Sequence, residues 1–361
     1  GSNDVLWGGK GNDVLTGGLG GDIYIFGRGD GHDVFSERGG FSFGPVKAGI
    51  DFIKFTGDIA STDLRLTRAG TATTLTITVL DKQGNVTGDS IEIEDYFGGI
   101  SLGLGLFADV IGSGDGLDFV SPNQIERFIF EDGASLDFEQ IAQQVIDNAK
   151  TAGDDAIYGF INKNKLDGGA GDDYLQGAKG DDTYVFGRGY GHDVIEDNGP
   201  KYGLFAPPSQ DVLTFVDDIR WNELDYLRTG RSDTLTLRIT GTDHRVTMVD
   251  FLKELPFLGY VNAIENIVFG DGTKWSYLKL LQHFVDVGQT PGNDVVYGFE
   301  GIADVFNAGA GDDRLEGLSG GDTYYFSAGS GNDIVDAGSG NDLIVGGHGR
   351  SLLTFRSDIT N

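Results

Sequence analysis

The sequence predicts a mainly β fold in which blocks of short, repeated strands alternate with small β-rich domains that each end in a helix. Three observations predict it. A glycine-rich nonapeptide recurs in three clusters, the two segments between the clusters resemble each other, and both segments contain runs of alternating apolar and polar residues. A repeat of fixed period indicates stacked structural units, and alternation with period two indicates half-buried strands.

The nonapeptide reads G-G-x-G-x-D-x-U-x, where U is a large apolar residue. GGKGNDVLT at residues 8–16 and GGLGGDIYI at residues 17–25 are adjacent copies. The aspartates recur mostly every nine residues, but one step of 11 follows an equivalent string in each cluster: IYIFGRGDGHDVF, TYVFGRGYGHDVI and TYYFSAGSGNDIV. Three copies of one irregularity indicate three copies of one module.

The residue types of the repeat have a physical explanation. Glycine permits the positive φ angles of a tight turn and lets backbone carbonyls come close together. The D-x-U-x portion is a short strand in which alternation places U inward. The predicted inward residues are Leu6, Leu15, Tyr24, Phe35, Leu175, Tyr184, Ile195, Leu315, Tyr324 and Val335.

The charge of the chain excludes several classes of partner. Acidic residues number 56 against 26 basic residues, so the formal net charge is −30. Nucleic acids and anionic membrane surfaces need clusters of Lys and Arg, which the sequence lacks. Cysteine is absent, which excludes disulfides, zinc–thiolate sites and cysteine nucleophiles. Dense carboxylates on glycine-rich loops favour divalent cations, because calcium binds about six to eight oxygens.

The three clusters resemble the calcium-binding nonapeptide repeats of RTX (repeats-in-toxin) proteins, which form parallel β-rolls with two nonapeptides per coil. The resemblance implies several bound Ca²⁺ ions between stacked turns. It implies side-chain ligands at position six: Asp4, Asp13, Asp22, Asp33, Asp155, Asp173, Asp182, Asp193, Asp294, Asp313, Asp322, Asp333 and Asp342. It also implies position-five ligands, Asn12, Asp172, Asp181, Asp312, Asn332 and Asn341, and glycine carbonyl ligands, Gly9, Gly11, Gly18, Gly20, Gly169, Gly171, Gly180, Gly311 and Gly320.

Two turns depart from the repeat. Asn164 replaces aspartate in GFINKNKLD, and GFEGIADVF around Asp304 carries one extra residue. We expect both turns to bind calcium weakly or not at all.

The segments between the clusters lack the nonapeptide. LRLTRAGTATTLTITV at 64–79 aligns with LDYLRTGRSDTLTLRI at 224–239, and IERFIFEDG at 125–133 aligns with IENIVFGDG at 264–272. Both segments look like the haemolysin-type calcium-binding related domain. The stretch after each DG turn predicts a helix, over about 137–149 and 275–286. A Gly- and Leu-rich insert at 97–123 is the best candidate for an interaction surface.

These features predict six parts in order along the chain. They are a β-roll block at 1–36, a β-rich domain with a C-terminal helix at 37–150, a second roll at 151–197, a second β-rich domain at 198–288, a third roll at 289–346 and the start of a truncated further module at 347–361.

The resemblance implies a calcium-binding, toxin-like region of a secreted bacterial protein, which folds on calcium after type I secretion. The implied partners are calcium, the secretion machinery and a possible cell-surface target, with no nucleic acid and no transmembrane segment. Two alternatives remain: an adhesion or ligand-binding segment of an RTX adhesin, or the non-catalytic C-terminal part of an exoenzyme. We expect no enzyme activity, because the two G-x-S-x-G strings, around Ser42 and Ser101, lack the strand–turn–helix context of a nucleophile.

Overall fold

The structure is a computed structural model. It describes residues 2–37, 49–97, 125–160, 162–178, 180–197, 210–252, 254–255, 259–260, 263–346 and 352–355. The chain divides into two compact units, and each is described by itself. The first holds the described residues of Gly1–Gly169 and Asp173–Asp182, and the second holds those of Ala170–Asp172, Thr183–Lys201 and Gln210–Asn361.

The first unit begins with a two-sheet parallel roll. Its strands are β1 (Val5–Leu6), β2 (Val14–Thr16), β3 (Ile23–Phe26) and β4 (His32–Ser36). Odd and even strands enter different sheets, because β1 pairs in parallel with β3 and β2 pairs in parallel with β4. Each coil of the roll therefore contributes one strand to each sheet, and the two apolar faces meet between the sheets.

The β-rich domain of the first unit continues both sheets of the roll. Its elements are β5 (Phe52–Phe55), a 3₁₀ turn (Ser61–Asp63), β6 (Leu64–Thr67), β7 (Leu75–Leu80), β8 (Val86–Ile93), β9 (Arg127–Ile129), β10 (Ser135–Asp137) and helix α1 (Phe138–Ala149). One sheet has the order β1-β3-β5-β9-β10 and the other β2-β4-β8-β7-β6. The roll and this domain thus share one continuous core, in which the Tyr24 and Phe35 rings stack 4.7 Å apart.

Helix α1 starts at a capping box and ends beside the next roll strands. The Asp137 side chain accepts from the Gln140 main-chain N–H, and the Gln140 side chain accepts from the Asp137 main-chain N–H, each at 3.0 Å. Strands β11 (Ala156–Tyr158), β12 (Lys165–Asp167) and β13 (Tyr174–Gln176) follow, and β11 pairs in parallel with β13. The Gln143 amide exchanges two hydrogen bonds with the main chain of Lys165, at 2.9 and 3.0 Å, so the helix satisfies part of β12.

The second unit repeats this architecture. Its first elements are β14 (Thr183–Phe186), β15 (His192–Ile195), β16 (Val212–Phe215), a 3₁₀ turn (Trp221–Glu223), β17 (Leu224–Leu227), β18 (Leu235–Ile239), β19 (Arg245–Met248), β20 (Glu254–Leu255), β21 (Gly259–Tyr260), β22 (Asn266–Val268), β23 (Lys274–Ser276) and helix α2 (Tyr277–Val287). Within this unit β14 pairs with β16 and β16 with β22, while β15 pairs with β19, all in parallel. Antiparallel β17, β18 and β19 match β6, β7 and β8 of the first unit.

The third roll ends the described chain. Its strands are β24 (Val295–Tyr297), β25 (Val305–Asn307), β26 (Arg314–Glu316), β27 (Thr323–Phe326), β28 (Asn332–Asp336), β29 (Leu343–Gly346) and β30 (Leu352–Phe355). They form two parallel sheets, β24-β26-β28-β30 and β25-β27-β29. The Gln282 amide exchanges hydrogen bonds with the main chain of Val305, as Gln143 does with Lys165.

The structure confirms the mainly β fold class, with several parallel sheets consistent with a β-roll. It also confirms a helix after each DG turn, at Phe138–Ala149 and Tyr277–Val287. Eight of the predicted inward residues are at most 2% exposed, but Leu6 and Leu15 are half-buried because β1 and β2 are edge strands. No helix in the described ranges is long and apolar enough to cross a membrane.

Candidate metal centre

The turns of the rolls have the backbone conformation that their glycines predict. In the first turn Gly9 has φ +77° and Gly11 has φ +138°, and in the third roll Gly309 and Gly311 have φ +73° and +124°. L-residues rarely adopt these angles, whereas glycine adopts them without steric penalty. The alternation of extended and left-handed residues curls each turn so that its carbonyls face the next turn.

The position-six aspartates form ladders that hold stacked turns together. The main-chain N–H of Asp4 donates to Asp22 Oδ1 at 2.7 Å, and that of Asp13 donates to Asp33 Oδ1 at 3.0 Å. The same bond, at 2.8–3.0 Å, joins Asp155 to Asp173, Asn164 to Asp182, Asp294 to Asp313, Asp304 to Asp322, Asp313 to Asp333 and Asp322 to Asp342. The structure thus brings together aspartates that lie 18 to 20 residues apart in the chain.

The second oxygen of these ladder aspartates is the main sign of a cation site. Within the described residues, Oδ2 is buried without a hydrogen-bond partner in Asp13, Asp22, Asp33, Asp313, Asp322 and Asp333. An unpaired buried carboxylate oxygen costs several kcal/mol, roughly, unless a charge or a donor reaches it. Burial also raises the pKa of Asp33 and Asp313, and it raises the pKa of Asp322 to about 6.

Backbone carbonyls of one turn lie close to the turn stacked on it. A Cβ atom on Gly31 would stand 2.1 Å from the Gly11 carbonyl oxygen, and one on Gly331 would stand 1.9 Å from that of Gly311. Only glycine allows turns to stack this closely. The stacked turns therefore offer carboxylate and carbonyl oxygens, which are the ligand type that calcium prefers. The donor set fits calcium.

The predicted position-five ligands lie differently. Asn12, Asp172, Asp181, Asp312, Asn332 and Asn341 are all exposed. The side chains of Asn12, Asp172 and Asp312 accept a main-chain N–H of the turn stacked on theirs, at 3.2, 2.8 and 2.8 Å. These three side chains link stacked turns by hydrogen bonds. The role of all six residues as calcium ligands stays a prediction.

The first aspartate of the second and third rolls is bound within its own turn. Asp155 Oδ2 accepts from the Thr151 N–H and Asp294 Oδ2 from the Thr290 N–H, both at 2.6 Å. Asp4 is exposed and accepts from the Ser2 hydroxyl. These three carboxylates differ from the buried ladder oxygens, although each residue still donates its N–H to the ladder.

The two turns that depart from the repeat are covered by arginine. The Arg68 guanidinium lies 3.9 Å from the Phe160 ring centroid and donates to the Tyr158 carbonyl at 2.7 Å. Asn164 Oδ1, which is buried, accepts from the Phe160 N–H at 2.5 Å. This turn already contains a cation and a satisfied amide, and its weak calcium binding stays a prediction.

An equivalent arrangement occurs in the second unit. Arg228 lies 3.8 Å from the Phe299 ring centroid and donates to the Gly298 carbonyl at 2.8 Å. Burial lowers the pKa of Arg68 and of Arg228 to about 10, so both remain cationic at neutral pH. Sequence reasoning missed both arginines. The signal was present in the aligned strings LRLTRAG and LDYLRTG, which place Arg68 and Arg228 at the same position of the two segments.

Sequence reasoning also missed acids outside the nonapeptides that extend the ladders. Asp51 Oδ1 accepts from the Asp22 N–H at 2.6 Å, and Glu126 Oε2 accepts from the Asp51 N–H at 2.6 Å. In the second unit Glu265 Oε2 accepts from the Asp211 N–H at 2.8 Å. Both aspartates begin aligned strings, DFIKF and DVLTF, so an alignment of the two segments contains the signal.

The predicted interaction surface at 97–123 lies outside the described residues apart from Phe97, and so do Ser42 and Ser101. The proposal of a target-binding insert therefore stays a prediction.

Comparison with known families agrees with the geometry of the turns. The family model of the RTX calcium-binding nonapeptide repeat (4 copies) matches residues 1–33, 151–175, 158–192, 303–324 and 325–353. The model of the haemolysin-type calcium binding protein related domain matches residues 235–277, from β18 to the start of α2. No curated protein matches the chain. The three roll blocks are therefore RTX calcium-binding nonapeptide repeats, and residues 235–277 are a haemolysin-type calcium-binding protein related domain.

Proposed function

We propose that this chain is a calcium-driven folding region of a secreted bacterial protein of the toxin-like RTX type. One observation carries the proposal: five buried ladder aspartates, Asp22, Asp33, Asp313, Asp322 and Asp333, use one oxygen to bind the neighbouring turn, and their other oxygen has no hydrogen-bond partner among the described residues. A cation between turns would complete that arrangement.

The mechanism follows from charge. Where free calcium is scarce, adjacent carboxylates repel, and the net charge of −30 opposes compaction. In millimolar calcium the sites fill, since extracellular modules bind it with Kd on the order of 10⁻⁴–10⁻³ M. The free energy of binding becomes free energy of folding, because the sites exist only when the turns are stacked. A chain that stays extended without calcium suits export by type I secretion, and we assign the folded region to the extracellular space.

We propose further that the region has no catalytic role. The two histidines that precede a ladder aspartate hydrogen-bond across strands: His32 Nδ1 lies 2.7 Å from Ser90 Oγ, and His192 Nε2 lies 3.2 Å from Thr247 Oγ1. A role in sheet pairing accounts for both. Assays of hydrolysis by the whole chain in calcium provide the check, and turnover abolished by substitution of either histidine would contradict this part.

A titration of the whole chain tests the folding proposal. We expect circular dichroism in chelator to show a reduced β signal, and millimolar Ca²⁺ to produce a cooperative gain of β signal and a higher melting temperature. Magnesium at the same concentration is the control, and we expect a much smaller gain because Mg²⁺ gives up its waters reluctantly. A chain that is equally folded and equally stable in chelator and in calcium would overturn the proposal.

A further inference from the structure

The first roll ends in a residue that breaks its own repeat. Thr16 pairs with Ser36, so the next residues, Gly17 and Glu37, occupy equivalent places in stacked coils. Glu37 therefore stands where the nonapeptide has its first glycine. It is 1% exposed, and its Oε2 accepts from the Gly18 N–H at 2.9 Å. At this buried position, a carboxylate stands where the repeat has glycine.

Glu37 completes a group of three buried acids that we name the end cluster: Asp22, Glu37 and Asp51. One carboxylate oxygen from each lies within 4.8 Å of those from the other two. The three residues are 0%, 1% and 6% exposed. Among the described residues, none of the three forms a salt bridge. Their shared space is also closed to other side chains, since a Cβ on Gly17 would come within 2.5 Å of Asp22 Oδ2.

The hydrogen bonds of the end cluster leave one oxygen unpaired. Asp22 Oδ1 accepts from the Asp4 N–H and Asp51 Oδ1 from the Asp22 N–H, while the Tyr24 hydroxyl donates to Glu37. Asp22 Oδ2 is buried and has no hydrogen-bond partner in the part of the chain that the structure describes. Burial, with a smaller contribution from the neighbouring carboxylates, raises the pKa of Glu37 and of Asp51 to about 7. The cluster thus lacks positive charge on the protein side.

The third roll provides an internal comparison. There Asp322 and Asp342 form the ladder bond at 3.0 Å, as Asp22 and Asp51 do, but the residue stacked beside Gly317 is Ala337. Without an acid at that place, the hydroxyl of Tyr324 has no hydrogen-bond partner among the described residues. In the sequence of the second module, by contrast, the corresponding position is Asp197. The acid is thus found where a β-rich domain follows the roll and not where another nonapeptide follows it.

We propose that Asp22, Glu37 and Asp51 form a calcium site of their own, in which every protein ligand is a carboxylate, at the junction of the first roll and the β-rich domain that follows it. The choice of calcium rests on the proposed function, and the location rests on the end cluster alone. Three carboxylates give this site more ligand charge than a turn site that relies on carbonyl oxygens, and ligand charge increases calcium affinity. The end-cluster site therefore fills first as calcium rises and fixes β4 and β5 before the outer coils form.

Calcium stoichiometry of the whole chain tests the proposal. Native mass spectrometry and isothermal titration with CaCl₂ would compare the parent chain with Glu37→Gln, which keeps the side-chain volume and removes the charge. We expect the variant to bind one ion fewer at the tight sites, with affinity at the end cluster at least about tenfold weaker, about 1.4 kcal/mol. Glu139→Gln, the same change at an exposed residue of α1, is the matched control and should bind as the parent does.

A second variant gains the site instead of losing it. Ala337→Glu places a carboxylate beside Asp322 and Asp342, and we expect it to bind one additional ion with the parent fold retained in circular dichroism. If Glu37→Gln keeps the stoichiometry and affinities of a calcium-binding parent, the end cluster holds a shared proton and not an ion, and this proposal fails while the proposed function stands. If the parent chain itself binds no calcium, the proposed function fails, and the two outcomes are distinguishable.

Discussion

Two turns of the first unit satisfy their buried polar groups in different ways. At Asp33 one carboxylate oxygen accepts from the Asp13 N–H of the neighbouring turn, and the second is buried without a hydrogen-bond partner among the described residues. At Phe160 and Asn164 the polar atom is an amide, and the guanidinium of Arg68 covers the turn from the β-rich domain. One turn therefore needs a cation from solution, whereas the other receives its cation from the chain.

The second unit repeats the arginine but not the amide. Arg228 covers the turn of Phe299 as Arg68 covers that of Phe160, but this turn carries an aspartate, Asp304, whose Oδ1 is buried without a hydrogen-bond partner among the described residues. Burial raises the pKa of Asp304 to about 7, and Arg228 lowers it. We infer from the comparison that a turn covered by an arginine depends less on calcium than a ladder turn does.

The largest expected effect is that of calcium removal, which should separate the two kinds of turn. A site at a calcium concentration of 100 times its Kd contributes about 2.7 kcal/mol, so several sites together match the roughly 5–15 kcal/mol that stabilises a domain. We expect chelator to abolish hydrogen-exchange protection in β2–β4 and β26–β28. Protection in α1 and in antiparallel β6–β8 should fall much less. An equal loss of protection in all these elements would show that the two kinds of turn do not differ in their dependence on calcium.

Substitution within each turn is expected to give the next largest effect. Asp33→Asn removes a ladder charge, and we expect it to destabilise the chain by about 2–4 kcal/mol in calcium and by almost nothing in chelator, where the removed charge only repels its neighbours.

Asn164→Asp is the reciprocal change in the turn that Arg68 covers. It should leave calcium stoichiometry unchanged, because Arg68 and the Phe160 N–H already occupy that turn. Melting curves in calcium and in chelator measure the first effect, and calcium titration measures the second. A new ion bound by Asn164→Asp would count against the arginine as the cation of that turn.

Removal of the arginine should weaken the other kind of turn. Arg68 donates to the carbonyls of Tyr158 and Gly159 and lies over the Phe160 ring. Charged hydrogen bonds contribute about 1.5–3 kcal/mol and a cation–π contact about 0.5–2 kcal/mol, so Arg68→Ala should cost about 2–4 kcal/mol. Urea unfolding should show the same loss of unfolding free energy in calcium as in chelator, where it is measured on the structure that remains without calcium. Arg68→Lys, which keeps the charge but not the planar fork, is expected to recover only part of it. A loss that appears in calcium alone would indicate that Arg68 acts through an ion.

How well the sequence predicts each feature depends on how far apart in the chain the interacting residues lie. The helices after each DG turn and the inward apolar residues were predictable, because capping and period-two alternation are local patterns. The position-six aspartates were predictable as a set from their spacing. Their pairing across 18 to 20 residues, through one N–H and one carboxylate oxygen, needed the register of the parallel strands.

The missed residues share one property: they lie outside the repeat and act on it. Arg68 reaches a turn 90 residues away, and Glu37 stands at a glycine position only in the stacked coil. Neither role can be read from a nonapeptide pattern, because each depends on which segment the fold places beside the turn. Alignment of the two β-rich segments is the sequence signal that would have drawn attention to both.

The smallest expected effect concerns the backbone of the turns. At position two of the repeat Leu318 has φ +70°, where other turns have glycine, such as Gly18 with φ +88°. A side chain in the left-handed region costs about 1–2 kcal/mol, and glycine loses up to about 1 kcal/mol more entropy on folding. We therefore expect Leu318→Gly to be more stable than Leu318→Ala by up to about 1 kcal/mol, since both lose the leucine contacts and only alanine keeps the strain. Gly18→Ala should be less stable than the parent chain by a similar amount. A Cβ there would meet no atom within 4 Å, so the loss would come from backbone strain alone. Thermal melts in saturating calcium measure these differences. Equal stability of the two Leu318 variants would show that a turn held together by a bound ion tolerates a side chain at this position.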